Sequence, residues 1–149
     1  MDVTRIPFNQ HIGITRPDSN EVAALELAES GRLLNHVNTV DASAQFALGE
    51  AASGERLLRE FAHALEENTV VAVLRRAEVK YGHPAKGTLR ARASIGHEAK
   101  TRAVEALAKK GRAIIRVDVD VLAPDNKVSM TATYEWFARR VEVGEPDPA

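Results

Sequence analysis

Apolar and polar positions keep two different rhythms along the chain, and the change falls near residue 69. From Asp41 to Gly54 almost every residue is Ala, Ser, Gly, Phe or Leu, opened by an Asp that is a favoured helix cap. Small residues on all sides let other backbone approach closely, so this stretch predicts a central, wrapped helix over 42–54. Gly54 reads as its stop or kink, and Leu57, Leu58, Phe61 and Leu65 carry a helical continuation over 55–65. Upstream, residues 10–15 and 21–29 read as strands on either side of a Pro17-Asp18-Ser19-Asn20 turn, and 33–40 as a loop into the helix.

Beyond residue 69 the period drops to two. Residues 69–81 are Val-rich and end in a turn region marked by Gly82, Pro84 and Gly87. In 88–95, Leu89, Ala91, Ala93 and Ile95 alternate with Thr88, Arg90, Arg92 and Ser94, which gives one face a polar, basic character. Residues 113–122 and 127–137 form a hairpin across Ala123-Pro124-Asp125-Asn126. Between these strands, 98–110 reads as a polar helix with an apolar stripe of Ala99, Ala103, Val104, Ala106 and Leu107. One long helix followed by antiparallel strands is an α+β pattern, a curved sheet wrapped around the helix. A single domain is expected over 8–141, with extensions at 1–7 and 142–149.

Composition narrows the function classes. The chain has 149 residues, enough for one domain with a core of its own, and a formal net charge of −1, which offers nucleic acid no global attraction. No apolar run is long enough to span a bilayer, and Met1-Asp2-Val3-Thr4-Arg5 is no signal-peptide core, so a cytoplasmic protein is expected. Without cysteine there is no thiolate nucleophile or thiolate metal site. The five histidines, His11, His36, His63, His83 and His97, lack metal-ligand spacing, and no metal is expected. No Gly-x-Ser-x-Gly elbow occurs, and Ser43 and Ser53 have no evident His partner. Tyr134 and Trp136 alternate on the last strand, as core or interface residues do.

The chemistry concentrates on Glu50. A carboxylate on an apolar helix is disfavoured in its charged form, so its pKa rises and it becomes a usable general base. The structural alternative is a buried ion pair with Arg56 or with a strand arginine. Asp41 likewise has two readings: a plain helix cap, or a group beside a reacting centre. As a cap it would accept the very N–H groups that an oxyanion would need.

Two motifs in order resemble the hot-dog thioesterases of the phenylacetic-acid-pathway (PaaI-like) type. Asn35, Val40 and Glu50 fall on that family's signature Asn, Val and helical carboxylate, and Tyr81-x-x-Pro84-Ala85-x-Gly87-x-Leu89 looks like its strand-turn-strand motif. The chain departs from the signature where Asn38 replaces a Gly and Asp41-Ala42-Ser43 replaces His-Gly-Gly. The resemblance spans residues 8–140 and implies a hot-dog fold, a homodimer or homotetramer, and an acyl-CoA substrate without a separate cofactor. Helix 98–110 looks like an insertion, placed to lie over the site or the dimer seam.

The implied roles follow residue by residue. Glu50 is base or nucleophile, the amides of Ala42 and Ser43 are oxyanion donors, and Asn35 orients water or the substrate carbonyl, with Asn38 beside it. Asp41 and Glu50 are about 13 Å apart along one helix, so the resemblance implies a site shared across a two-fold axis. His83, Lys86, Arg90 and Arg92 are the candidates for coenzyme A phosphates, or else solvate a sheet face. A non-catalytic acyl-thioester binding module on the same fold is the rival reading. Dehydratase and hydratase chemistry is disfavoured, because neither a Gly-His-Phe-Pro nor an Asp-x-Asn-Pro-x-His run occurs.

Overall fold

A computed structural model describes residues 1–18, 24–62 and 70–141. The expectations for His63, Leu65, Thr69, residues 19–23 and the 142–149 tail lie outside the described residues. Among the described residues three α-helices accompany six strands: α1 (Pro7–Ile12), β1 (Ile14–Thr15), β2 (Ala24–Leu27), α2 (Ala42–Glu60), β3 (Val70–Tyr81), β4 (Leu89–Ser94), α3 (His97–Lys110), β5 (Arg112–Leu122) and β6 (Val128–Arg140). The strands make one sheet in the order β1-β2-β4-β5-β6-β3, antiparallel at every pair. The sheet curls around α2, the α+β architecture that the two rhythms predict.

Burial follows the strand period. On β5 the inward residues Ala113, Ile115, Val117, Val119 and Val121 are buried while their neighbours are exposed. Leu89 and Ala91 on β4, and Met130, Ala132 and Tyr134 on β6, join them in one core with Ala44, Leu48, Ala51, Ala52 and Leu57 of α2. Fully burying a side chain such as Leu48 contributes about 1.5–3 kcal/mol. The small residues of α2 allow this helix to sit deep in the sheet, as a Cβ-poor surface should.

Three local expectations are corrected. The strand expected over 10–15 is mostly helix: Pro7 presets the first turn of α1, and Gly13 at φ 90° ends it, leaving only Ile14–Thr15 extended. Gly54 neither stops nor kinks α2, which runs unbroken to Glu60. It packs against Trp136, and a Cβ there would lie at an ordinary 3.6 Å contact from the indole ring. Arg75 and Arg76, which the regular alternation of a Val-rich strand would put on opposite faces, sit at a register shift in β3 between Leu74 and Arg76, so the strand's alternation resets there.

The first seven residues dock on the domain. Arg16 bonds Asp2 at 2.9 Å and grips Glu55 of α2 with Nη2 2.9 Å from both carboxylate oxygens; Arg59 closes the group at 3.0 Å. Glu55 is only 4% exposed, so these partners are what make its charge tolerable there. α3 is capped by Gly111 at φ 66° and packs on β5 through Ala103 and Leu107. Lys100 ties it to Glu60, about 27 Å from the Asp41 end of α2.

Gly49 marks the closest approach of α2 to β6. A Cβ there would lie 2.5 Å from the Tyr134 hydroxyl and 2.8 Å from Met130 Cε. Both are fully buried and cannot step aside. Gly49→Ala should therefore destabilise the fold by about 1–3 kcal/mol, read as a lower denaturant midpoint at unchanged slope. An unchanged midpoint would mean that the helix is not seated this tightly.

Candidate active site

Glu50 follows Gly49, so the tight seat on β6 also sets where its carboxylate lies. The Tyr134 hydroxyl donates to Phe46 O at 2.8 Å, one helical turn before Glu50. Ser53 Oγ donates to Glu50 O at 2.7 Å and accepts from Trp136 Nε1 at 3.0 Å. The backbone around Glu50 is thus pinned to β6 on both sides.

The side chain itself is half-buried. Arg56, its expected structural partner, pairs with Glu60 at 2.5 Å instead. Arg75 and Arg116, on the strands, reach Glu135. No ion pair to Glu50 occurs among the described residues, and burial alone pushes its pKa up. Burial, and then the charge of Glu50, raise Tyr134 in turn. The carboxylate therefore faces a site that disfavours its charge and gives it no counterion.

The other expected residues gather at the start of α2. Asn35 shapes the loop: its Oδ1 accepts from Val37 N at 3.0 Å and Thr39 N at 3.1 Å, and its Nδ2 donates to Thr39 Oγ1 at 2.9 Å. Asn38 turns that loop at φ 57°, a left-handed conformation that Asn tolerates. Asp41 closes as a cap, its Oδ1 accepting Ser43 N–H at 2.8 Å. The Ser43 amide expected as an oxyanion donor is thus occupied. Ala42 N–H, at the first helical position, has no acceptor inside the helix. Ala42 and Ser43 are both exposed.

Residues of the second motif complete this corner. The Tyr81 hydroxyl donates to Ala42 O at 3.1 Å, and Val40 N donates to Ala85 O at 2.8 Å. Burial and the charge of Asp41 raise the Tyr81 pKa. His83 and Lys86 stand exposed on the loop beside it. Arg90 and Arg92 do not join them: they lie on the sheet face turned away from α2, Arg90 paired to Glu26 at 3.5 Å and Arg92 in register with Asp120. Sequence reasoning passed over Tyr81 as a site residue, although it opens the very motif that carried the resemblance. Among the described residues no cluster of three or more metal-ligating side chains occurs, and no helix is long and apolar enough to cross a membrane.

A family model described as Domain of unknown function (DUF4442) matches residues 5–138. No curated protein matches the chain. Among solved structures, a Pseudomonas aeruginosa protein described as a probable thioesterase is 20% identical, covers 93% of this chain and 91% of its own, and superposes with a TM-score of 0.76. A mutant of a Staphylococcus aureus thioesterase enzyme is 15% identical, with 89% and 98% covered and a TM-score of 0.66. A hypothetical thioesterase from Streptococcus pneumoniae, solved with coenzyme A, is 16% identical, with 78% and 77% covered and a TM-score of 0.57. These likenesses establish the hot-dog fold.

An unpaired, desolvated carboxylate has a measurable cost. Because the folded-state pKa of Glu50 is raised, folding favours its protonated form, and the penalty grows as pH climbs through the ordinary Glu value of 4.5 and beyond. Glu50→Gln should raise the melting temperature near neutral pH, with the gain vanishing below about pH 4. A variant that melts lower at neutral pH would indicate a stabilising partner for Glu50.

Proposed function

Since the chain belongs to the family described as Domain of unknown function (DUF4442) and shares the hot-dog fold of thioesterases, we propose that it hydrolyses acyl-CoA thioesters at a site shared by two copies of the chain. The observation that carries this reading is Glu50, a half-buried carboxylate on an otherwise apolar helix face, with no counterion among the described residues. As general base it takes a proton from water as the water oxygen bonds to the thioester carbonyl carbon. The carbonyl becomes an oxyanion, received by Ala42 N–H and by the positive end of α2. The C–S bond then breaks, Glu50 returns the proton to sulfur, and a carboxylic acid and a free thiol leave. The coenzyme A held by the Streptococcus pneumoniae protein supports that thiol's identity.

Two copies are required by distance. Ala42 and Glu50 are eight residues apart on one straight helix, about 12 Å, too far to meet at one carbonyl. A two-fold axis that sets two α2 helices antiparallel brings each Glu50 to the other's first turn. β3 suits such an axis: it is the outer strand, and its far edge pairs with nothing among the described residues. The half-buried inward residues Ala72, Leu74, Ala77 and Val79 would be covered by the same contact. A homodimer is the smallest assembly that completes the site, and a homotetramer contains it twice. Within this site Asn35 holds the loop that presents Ala42, and the phenylacetic-acid-type branch remains the nearest chemistry.

The closed Asp41 cap favours a second reading. With its charge beside Ala42 and its oxygen on Ser43 N–H, Asp41 opposes a new anion there. A module that binds acyl-CoA without cutting it would tolerate such a cap.

Hydrolysis of a panel of short, long and aromatic acyl-CoAs separates the two. Wild type should turn over at least one of them, and Glu50→Gln, still folded, should lose about 10²–10⁴-fold in kcat/KM. The wild-type kcat/KM should rise with pH through the elevated Glu50 pKa, and the variant should lose that limb. Thermal stabilisation by an acyl-CoA without turnover would select the binding module.

A further inference from the structure

Where β3 ends and β6 begins, an open groove of about 430 Å³ is lined by Lys80, Gly82, His83, Lys127, Val128 and Thr131. It lies on the outer face, since Lys80 and Thr131 are exposed register partners between inward-facing neighbours. Two lysines and an imidazole rim it, and no carboxylate lines it. Of the nearby acids, Asp125 pairs with Lys127 itself at 3.5 Å, an exposed pair that a bound phosphate would displace, and Asp120 stands in register with both Thr131 and Arg92. The floor is apolar: Val128, the lysine stems, and Gly82, where a Cβ would lie 3.3 Å from Val128 O. Cations around an apolar floor suit a ligand that joins phosphates to a flat heterocycle.

The groove is also connected to the proposed site. Its Gly82–His83 wall continues into Ala85, whose carbonyl holds Val40, and the preceding Tyr81 bonds Ala42 O. A chain leaving the groove over this corner arrives at the first turn of α2. We infer that the groove seats the nucleotide end of a coenzyme A thioester, with Lys80 and Lys127 on its phosphates and the base over Val128. This assignment rests on the thioester reading for its ligand, and it moves the phosphate contacts away from Arg90 and Arg92. Lys127 escapes a sequence reading because only the pairing of β3 with β6 brings it beside Lys80.

Calorimetric titration of the full chain with coenzyme A and with pantetheine, which lacks the nucleotide, tests the groove without requiring turnover. Wild type should bind coenzyme A about ten-fold or more tightly than pantetheine, a margin that shrinks with added salt. In Lys80→Ala/Lys127→Ala that preference should fall to about two-fold or less. Both positions are exposed, and a melting curve checks that the variant is folded. Equal wild-type affinities for the two ligands, or a preference that survives the double substitution, would overturn the assignment. The hydrolysis reading fails separately: an intact preference with no turnover of any acyl-CoA supports the groove and removes the thioesterase.

Discussion

The seat of α2 on β6 is the contact on which the rest depends. Gly49 has no Cβ, so the helix comes down onto Tyr134 and Met130, and the Tyr134 hydroxyl and Trp136 indole fasten the turns on either side. That seat sets the depth of Glu50 and, at the same time, the position of the helix start against Tyr81 and Ala85. A helix held farther out would expose Glu50 to water and return it to an ordinary carboxylate. Packing, not a hydrogen-bond network, is what tunes this group.

Two glutamates on one helix show why Glu50 stands out. Glu55 is more deeply buried, but Arg16 and Arg59 hold it from two sides. Glu50 is less buried and has no such partner among the described residues, although arginines are plentiful in the chain. A structural carboxylate is satisfied by its neighbours; one kept unsatisfied is available to a substrate or a water. Asp41 then limits what the helix start can do, because its cap leaves Ala42 rather than Ser43 to meet a developing charge.

Much of this was legible along the chain, and the misses have physical causes. Small residues around Glu50 announced a wrapped helix, and the period-two pattern of 113–122 and 127–137 announced its sheet. Gly54 misled because a glycine packed inside a helix looks, in sequence, like one that ends it. The Pro7–Ile12 helix was missed because its signals, a proline at the start and Gly13 at the end, enclose only six residues. The basic face of β4 was visible, but which side of the sheet it would take depends on the core, and the core took Leu89 and Ala91. Asn35 was found at its loop, yet its amide is bound by that loop, which no spacing rule reveals.

The central claim, one thioester held between two chains, is tested most directly by subunit mixing. Ala42→Pro removes the Ala42 N–H yet fits the first helical position, and Asp41 before it already has the extended ψ of 146° that a following proline requires. Refolding it with Glu50→Gln subunits makes mixed dimers in which one of the two sites has both an intact Glu50 and an intact Ala42 amide. Acyl-CoA hydrolysis should reappear in the mixture although each variant alone is inactive. A mixture as inactive as its parents would contradict a shared site and place both groups' work within a single chain.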